Sequence, residues 1–124
     1  PQDYAEAAKW FRLAAEQGHT AARHNLGVMH ANGHGVTRDY AEAAKWYRLA
    51  AEQGHAAACN NLGVMYVNGQ GVGQDYVQAH LWYSLAAASG ITEAAENRDN
   101  LARRMSSAEI AKAQRLASNM GMDQ

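Results

Sequence analysis

The chain has 124 residues and a formal net charge of −1, with 12 acidic residues interspersed among 11 lysines and arginines. This near-neutral balance gives no electrostatic reason to expect nucleic acid or an anionic membrane surface as a partner. No apolar run approaches the roughly 20 residues that a membrane-spanning helix needs, so we expect no membrane insertion. By length, residues 1–124 form one domain.

The sequence leaves the cellular compartment undetermined. The chain begins directly on a repeated segment, so it could be a piece of a longer protein, and the lack of a visible signal peptide says little. The single cysteine, Cys59, cannot form an internal disulfide, so the redox compartment is also open.

The chain is built on a repeat with a period of 36 residues. The segment DYAEAAKWFRLAAEQGH at residues 3–19 returns at 39–55 with one change, Phe11 to Tyr47, and returns more loosely from residue 75. The segments between these copies repeat as well. A fixed period of about 20 to 50 residues is typical of solenoids. Solenoids build extended binding surfaces from stacked units, which favours a binding function over catalysis.

Each repeat is predicted to contain two helices, which we call B and A. The B pattern starts at an aspartate, places alanines and aromatic residues on one face, and stops at a glycine. Asp39 with Glu42 fits a capping box, in which each side chain satisfies an amide at the helix start. In chain order, the predicted helices are B 3–17, A 20–32, B 39–53, A 56–68 and B 75–89.

Glycines occupy the same places in successive repeats. Gly27 and Gly63 lie in the middle of the A helices, where glycine costs about 1 kcal/mol relative to alanine. Because glycine occurs at the same unfavourable position in two successive repeats, we predict that packing requires it. Without a Cβ atom, the neighbouring helix can approach closely. The loops 33–39 and 69–75 join A to B, and their paired glycines permit positive φ.

The C-terminal part departs from the repeat. Residues 91–105 are predicted to be helical but lack the Leu-Gly pair of the A helices. Ser106 with Glu109 forms a second capping-box pattern, which opens a last helix to about Met120. We expect residues 91–124 to be capping helices that cover the last apolar face of the solenoid.

The first helix has no A helix before it. Trp10, Phe11 and Leu13 are therefore expected to leave an apolar edge. A homodimer through this N-terminal edge is one expectation that follows.

A long motif recurs along the chain. From Ala58 its residues are Ala58, Leu62, Gly63, Tyr66, Gly69, Gly71, Val72, Asp75, Ala79, Trp82, Tyr83, Ala86, Ala87 and Gly90. The copy from Ala22 carries the same residue types except for His30 in place of tyrosine. Over residues 3–90 this pattern resembles the Sel1-like repeat, a relative of the tetratricopeptide repeat. The period of 36, rather than the about 34 of tetratricopeptide repeats, favours the Sel1-like repeat.

The resemblance implies an all-α, right-handed superhelix of antiparallel helix pairs, with repeats at about 1–19 (partial), 20–55 and 56–90. It implies a bacterial adaptor that holds a protein or peptide partner on the concave face lined by A helices. A cysteine-rich branch of the family, with a disulfide in each repeat, is linked to penicillin binding. The solitary Cys59 does not support that branch. A β-lactamase-like enzyme and a self-associating structural module remain as alternatives.

No residue pattern predicts a metal, cofactor or catalytic site. The six histidines have no cysteine or carboxylate partner at zinc-binding spacing, and His30 is best interpreted as a core residue. No serine lies in the glycine-flanked turn that presents a nucleophilic serine, and Cys59 has no local histidine partner.

The aromatic pairs and the charged residues of helix B have structural interpretations. Trp46-Tyr47 and Trp82-Tyr83 share the helical spacing of the alanines, which predicts that they are core residues rather than a ligand platform. The charges at 42–45 and 48–52 are predicted to form a solvated outer face.

The predicted binding surface lies on the A helices. An asparagine side chain offers both donors and an acceptor, which suits an extended peptide backbone. The first two copies of helix B hardly differ, whereas the A helices do, as expected of a constant scaffold with a varied binding surface. An alternative is that Asn32 and Asn68 only help to end their helices. The predicted concave-face residues are His24, Asn25, Val28, Asn32, Asn60, Asn61, Val64 and Asn68.

Overall fold

The computed structural model describes residues 3–122 and contains seven α-helices and no strand over that range. The helices are α1 Tyr4–Glu16, α2 Thr20–Asn32, α3 Tyr40–Glu52, α4 Ala56–Asn68, α5 Tyr76–Ala88, α6 Thr92–Ala102 and α7 Ser107–Ala117. From α1 to α6 each helix packs on the next one in the chain, and α7 packs on α5. The predicted all-α solenoid is confirmed, with α1, α3 and α5 as B helices and α2, α4 and α6 as A helices.

Aspartate starts each B helix, as predicted. The side chain of Asp39 accepts a hydrogen bond from the backbone N–H of Glu42 at 3.1 Å, and Asp3 and Asp75 cap their helices in the same way. The reciprocal half of the predicted capping box is absent at Asp39. The Glu42 carboxylate instead accepts from the indole Nε1 of Trp46 at 3.3 Å. Both halves of a capping box are present at the start of α7.

The mid-helix glycines make room for an aromatic ring. A Cβ at Gly27 would lie 2.7 Å from Cδ1 of Tyr47, and a Cβ at Gly63 would lie 2.6 Å from Cδ1 of Tyr83. The predicted packing reason is therefore confirmed, and the group that needs the space is the tyrosine of the following B helix.

The second glycine of each loop is required by both conformation and space. Gly35 and Gly71 adopt φ values of 78° and 74°. A Cβ at Gly35 would overlap the carbonyl of Tyr4, and one at Gly71 would overlap that of Tyr40. Each loop thus lies against the first turn of the preceding B helix, which ties consecutive B helices together.

The core consists of alanines at the helix crossings with a few large side chains between them. Trp82, Leu26 and Leu62 are the largest fully buried side chains among the described residues. Trp46 and Tyr47 are also buried, as are Trp82 and Tyr83. The prediction that these aromatic pairs belong to the core is confirmed.

The C-terminal helices both pack on α5. Helix α6 ends at Ala102, earlier than the predicted residue 105, and α7 ends at Ala117 before a π-helical turn at Ser118–Met122. Ala94 and Leu101 of α6 and Ala117 of α7 are buried. Together these two helices cover the last B helix.

Among the described residues, α1 leaves an apolar edge exposed. Trp10 is 61% exposed, whereas its repeat equivalents Trp46 and Trp82 are 4% and 1% exposed. Leu13 and Tyr4 of the same helix are also exposed, and Phe11 is half-buried. None of the helices described is long and apolar enough to cross a membrane.

Candidate protein-interaction face

Polar side chains connect the A helices to one another. Asn61 of α4 donates its amide N–H to Nε2 of His24 in α2 at 3.1 Å. Asn97 of α6 donates to the Oδ1 of Asn60 in α4 at 3.2 Å. Each bond joins residues 37 positions apart, one more than the repeat period. The two bonds are therefore equivalent, each joining one A helix to the next. We call these two bonds the inter-repeat ladder.

The surroundings of His24 disfavour its protonated form. Its ring lies 4.7 Å from that of His55 and 5.8 Å from that of Tyr47, measured between centroids. Burial, followed by the nearby His55, lowers the pKa of His24 below 6.5, and the Asn25 side chain opposes this shift. A neutral ring leaves Nε2 available as the acceptor for Asn61, with the proton on Nδ1.

The predicted site residues differ in their accessibility. Asn60 is buried, and the half-buried ones are His24, Asn25, Val28, Asn61 and Val64. The two valines pack against the core. Asn32 and Asn68 are exposed at the last position of their helices, each before a glycine in the left-handed conformation. As a partner-binding surface, these residues remain a prediction.

A model of the Sel1 repeat family matches three consecutive segments of the chain, residues 1–19, 20–55 and 56–91. The chain belongs to the Sel1 repeat family. Sel1 repeat proteins commonly serve as scaffolds for protein interactions and are generally non-catalytic. Among curated proteins, none matches the chain significantly.

Two solved structures resemble this Sel1 repeat protein. One is c5321, described as a protective antigen present in uropathogenic Escherichia coli strains displaying an SLR fold, with 37% sequence identity and a TM-score of 0.92 over 96% of this chain. The other is a Sel1 repeat protein from Oxalobacter formigenes, with 39% identity and a TM-score of 0.76 over 79% of this chain. The matched region spans 26% of the first chain and 40% of the second.

Asn97 is a ladder residue that the sequence interpretation did not include. It lies 36 positions after Asn61, which itself lies 36 after Asn25. The period alone therefore could have identified Asn97, although α6 lacks the Leu-Gly pair that defines the other A helices. Asn25 occupies the same repeat position in α2, where the described residues include no earlier A helix to bond to.

The prediction of a solvated outer face is wrong for two of its charged residues. Arg48 is half-buried and donates to the hydroxyl of Tyr66, and its guanidinium also lies 5.7 Å from the ring centroid of Trp82. Glu42 is half-buried against Trp46. Spacing along one helix could not reveal the contacts of Arg48, because Tyr66 and Trp82 lie on other helices. The contact of Glu42 with Trp46 joins residues four apart in α3, which is the spacing of neighbours on one helical face.

Lys45 and Glu52 are exposed, as predicted for the outer face. Between α1 and α2, Nη2 of Arg12 lies 3.3 Å from Nε2 of His30, and these residues occupy the repeat positions of Arg48 and Tyr66. His30 is 5% exposed, which confirms it as a core residue.

The thiol of Cys59 is poorly suited to nucleophilic chemistry. It is buried, and burial raises its pKa to about 11, so that the thiolate is scarce at neutral pH. Over the part of the chain that the structure describes, no three His, Cys, Asp or Glu side chains are grouped so as to hold a metal ion.

Proposed function

We propose that the face formed by α2, α4 and α6 binds an extended segment of a partner protein. The observation that carries this proposal is the inter-repeat ladder, which places asparagine side chains at regular intervals across the stacked A helices. Each ladder bond uses one group of an asparagine amide that has two N–H donors and one acceptor oxygen. Asn61 and Asn97, both half-buried, thus retain capacity for a partner backbone.

The two exposed asparagines extend this surface. Asn32 and Asn68 lie at equivalent positions, one repeat apart, at the ends of α2 and α4. Val28 and Val64 lie one turn before them and offer half-buried apolar surface. This arrangement suits an extended partner segment. The valines would contact its apolar side chains, and the asparagines would bond to its backbone amides.

The test compares two sets of substitutions. A partner is first isolated by affinity capture, and its dissociation constant is measured by calorimetry. Replacing Asn32, Asn61 and Asn68 together with alanine should weaken binding at least tenfold. The changes at Asn32 and Asn68 should alter the melting temperature little, because both side chains are exposed.

The matched control replaces Lys45 and Glu52, which are exposed on the outer face of α3, with alanine. This variant should bind as the parent does. If the control loses binding while the triple variant retains it, the partner docks on the B-helix side and the proposed face is wrong.

We further propose that the protein is not an enzyme, and in particular not a β-lactamase. The buried, solitary Cys59 supports this because it can form no disulfide within the repeats. Nitrocefin should not be hydrolysed above background by the purified chain, and measurable turnover abolished by a point substitution would contradict the proposal.

A second candidate function is self-association through α1, for which the 61% exposure of Trp10 is the specific observation. We propose that the occupant of this edge is a second copy of the chain, with the two α1 helices antiparallel. Lys9 and Glu16 are both exposed and flank Trp10 and Leu13. An antiparallel pair brings Trp10 against Leu13 of the second copy and Lys9 near its Glu16, so the surface complements itself.

Sedimentation equilibrium tests the self-association. The parent should form a dimer that Trp10→Glu disrupts, and Lys9→Glu should weaken the dimer unless it is combined with Glu16→Lys. The charge-swapped double variant serves as the control because it restores the pairing. A parent that stays monomeric at high concentration, or a Trp10→Glu variant that still dimerises, rules out this interface.

A further inference from the structure

A cavity of about 770 Å³ lies between α5, α6 and α7. It is separate from the predicted concave-face residues, none of which lines it. Its polar lining consists of His80 and Ser84 from α5, Arg98 and Asp99 from α6, and Gln114 and Ser118 from α7 and the turn after it. Alanines and Ile110 form the apolar wall. Its volume falls within the range of about 300–1,000 Å³ typical of small-molecule sites.

Comparison with the helix pairs α1–α2 and α3–α4 shows why protein side chains do not fill this space. Ser84 stands where these pairs have Arg12 and Arg48. Ala102 stands where they have the acceptors of these arginines, His30 and Tyr66. In the pair α5–α6, both members of the arginine–aromatic contact are therefore replaced by small side chains. The cavity is lined by both replacements.

The polar lining comes from a second pair of replacements. Arg98 and Asp99 occupy the repeat positions of the buried Leu62 and of Gly63. A fully buried leucine thus gives way to an arginine whose side chain is 31% exposed. A guanidinium is costly to bury without hydrogen-bond acceptors, so the buried part of Arg98 needs acceptors nearby. Asp99 is one of them, and its Oδ1 accepts from Nε of Arg98 at 3.2 Å.

Most polar groups of the cavity are able to donate hydrogen bonds. The guanidinium of Arg98 has five N–H groups, only one of which is directed to Asp99 by the bond at Nε. His80 is 4% exposed, and within residues 3–122 its ring has a single hydrogen-bond contact, Nδ1 to the Ser84 hydroxyl at 3.5 Å. The Gln114 amide also lines the space. The acceptor Asp99, in contrast, is 67% exposed on the rim.

We propose that this cavity binds a carboxylate carrying a short alkyl group, with Arg98 as the principal ligand-binding residue. Arginine matches a carboxylate in geometry, since its planar fork can donate two parallel hydrogen bonds. The Ser84 hydroxyl from α5 and the Gln114 amide from α7 also line the cavity, and Ile110 with the surrounding alanines receives the alkyl group. The carboxylate belongs either to a small organic acid or to the C-terminus of a peptide.

The first experiment is an NMR titration of the whole ¹⁵N-labelled chain with butyrate, using butyramide as the neutral isostere. Butyrate should shift the amide resonances of α5 to α7 in a saturable manner, with weak affinity because the probe has few atoms. Butyramide should bind at least tenfold more weakly. Equal binding of the two probes, or no saturable shift by butyrate or by the peptide acid described below, would overturn the proposal.

Peptide probes distinguish the two sources of the carboxylate. N-acetyl-trialanine with a free C-terminus is compared with the same peptide as its C-terminal amide. Tighter binding of the peptide acid than of butyrate assigns the site to a peptide C-terminus, and the reverse order assigns it to a small organic acid. Loss of discrimination between the peptide acid and its amide contradicts a carboxylate site.

Two variants locate the site. Arg98→Gln should weaken butyrate binding at least tenfold, whereas the exposed Arg103→Gln, with the same change of charge nearby, should leave it unchanged. The double variant Ser84→Arg with Ala102→Tyr restores the pair that Arg48 and Tyr66 form between α3 and α4, and it fills the cavity. It should abolish binding while raising the melting temperature. Binding retained by this folded, filled variant would place the ligand elsewhere and reject the site.

Discussion

At the scale of single residues, the repeat depends on pairs that fit only in combination. Gly63 leaves room for the ring of Tyr83, as Gly27 does for Tyr47. A glycine in mid-helix is unfavourable by about 1 kcal/mol relative to alanine, so local propensity opposes the residue that packing requires. Packing prevails because a buried aromatic ring contributes more than this propensity difference.

Gly63→Ala should therefore destabilise the protein, although alanine is the better helix former. The added Cβ would lie 2.6 Å from the Tyr83 ring, which is buried and has little room to move. We expect a net loss of about 1–2 kcal/mol in the free energy of unfolding, since overpacking typically costs about 1–3 kcal/mol. Urea denaturation followed by circular dichroism measures it.

The control for this substitution is Gly73→Ala. A Cβ at Gly73 meets no heavy atom within 4 Å, and its φ is not in the left-handed region. This variant should be neutral or slightly stabilising. Equal stability of Gly63→Ala and the parent would show that Tyr83 does not need the space.

At the scale of helices, the junction between α2 and α4 combines a hydrogen bond with a pair of histidines. His24 accepts from Asn61 through Nε2, and its ring faces that of His55. Protonation of His24 removes this acceptor and places a cation at a partly buried junction. The junction is therefore most stable when His24 is neutral.

The free energy of unfolding should fall as the pH drops below 6.5. The pKa of His24 is lowered from 6.5 in the folded chain, chiefly by burial, so the unfolded chain binds the proton more readily. The stabilisation from neutral His24 is complete above 6.5 and is lost as the pH falls from there to the folded pKa. His80, whose pKa is lowered by burial and then by Arg98, adds a loss of the same sign.

Denaturation curves across this pH range check the prediction, with His24→Gln as the comparison. Glutamine still offers an acceptor to Asn61 but does not titrate. The variant should show a shallower loss of stability, with a difference of at most about 1.4 kcal/mol per pH unit. If the free energy of unfolding of parent and variant depended on pH in the same way, the pKa of His24 would be the same in the folded and unfolded chain, and the prediction would be wrong.

At the scale of the whole molecule, the first and last B helices of the described residues differ in how they are covered. Helix α5 is covered by α6 and α7, which place Leu101 and Ala117 in the core. Helix α1 has no such cover over the described residues, and its tryptophan is exposed. Stacked repeats bury apolar surface only against their neighbours, so the cover over α5 depends on α6 and α7.

Removal of residues 91–124 should expose the face of α5 that α6 and α7 bury. We expect the truncated chain to melt at a lower temperature and to aggregate, as judged by size-exclusion chromatography and light scattering. Removal of α7 alone, with α6 retained, serves as the intermediate case and should have a smaller effect. A truncated chain that remains monomeric with an unchanged melting temperature would show that these helices are dispensable.

By itself, the sequence determined the repeat, its period, the all-α solenoid and the core aromatic pairs. These features follow from local patterns repeated in register, such as the aspartate caps and the buried Trp46. Only the tertiary structure decided which groups meet across helices. The ring that needs Gly63, the partner of Arg48 and the link from Asn97 to Asn60 all lie 18 or more residues away in the chain. Such contacts depend on how the helices stack. The spacing of residues within one helix shows which of them share a face, but it does not show which side chains of another helix meet that face.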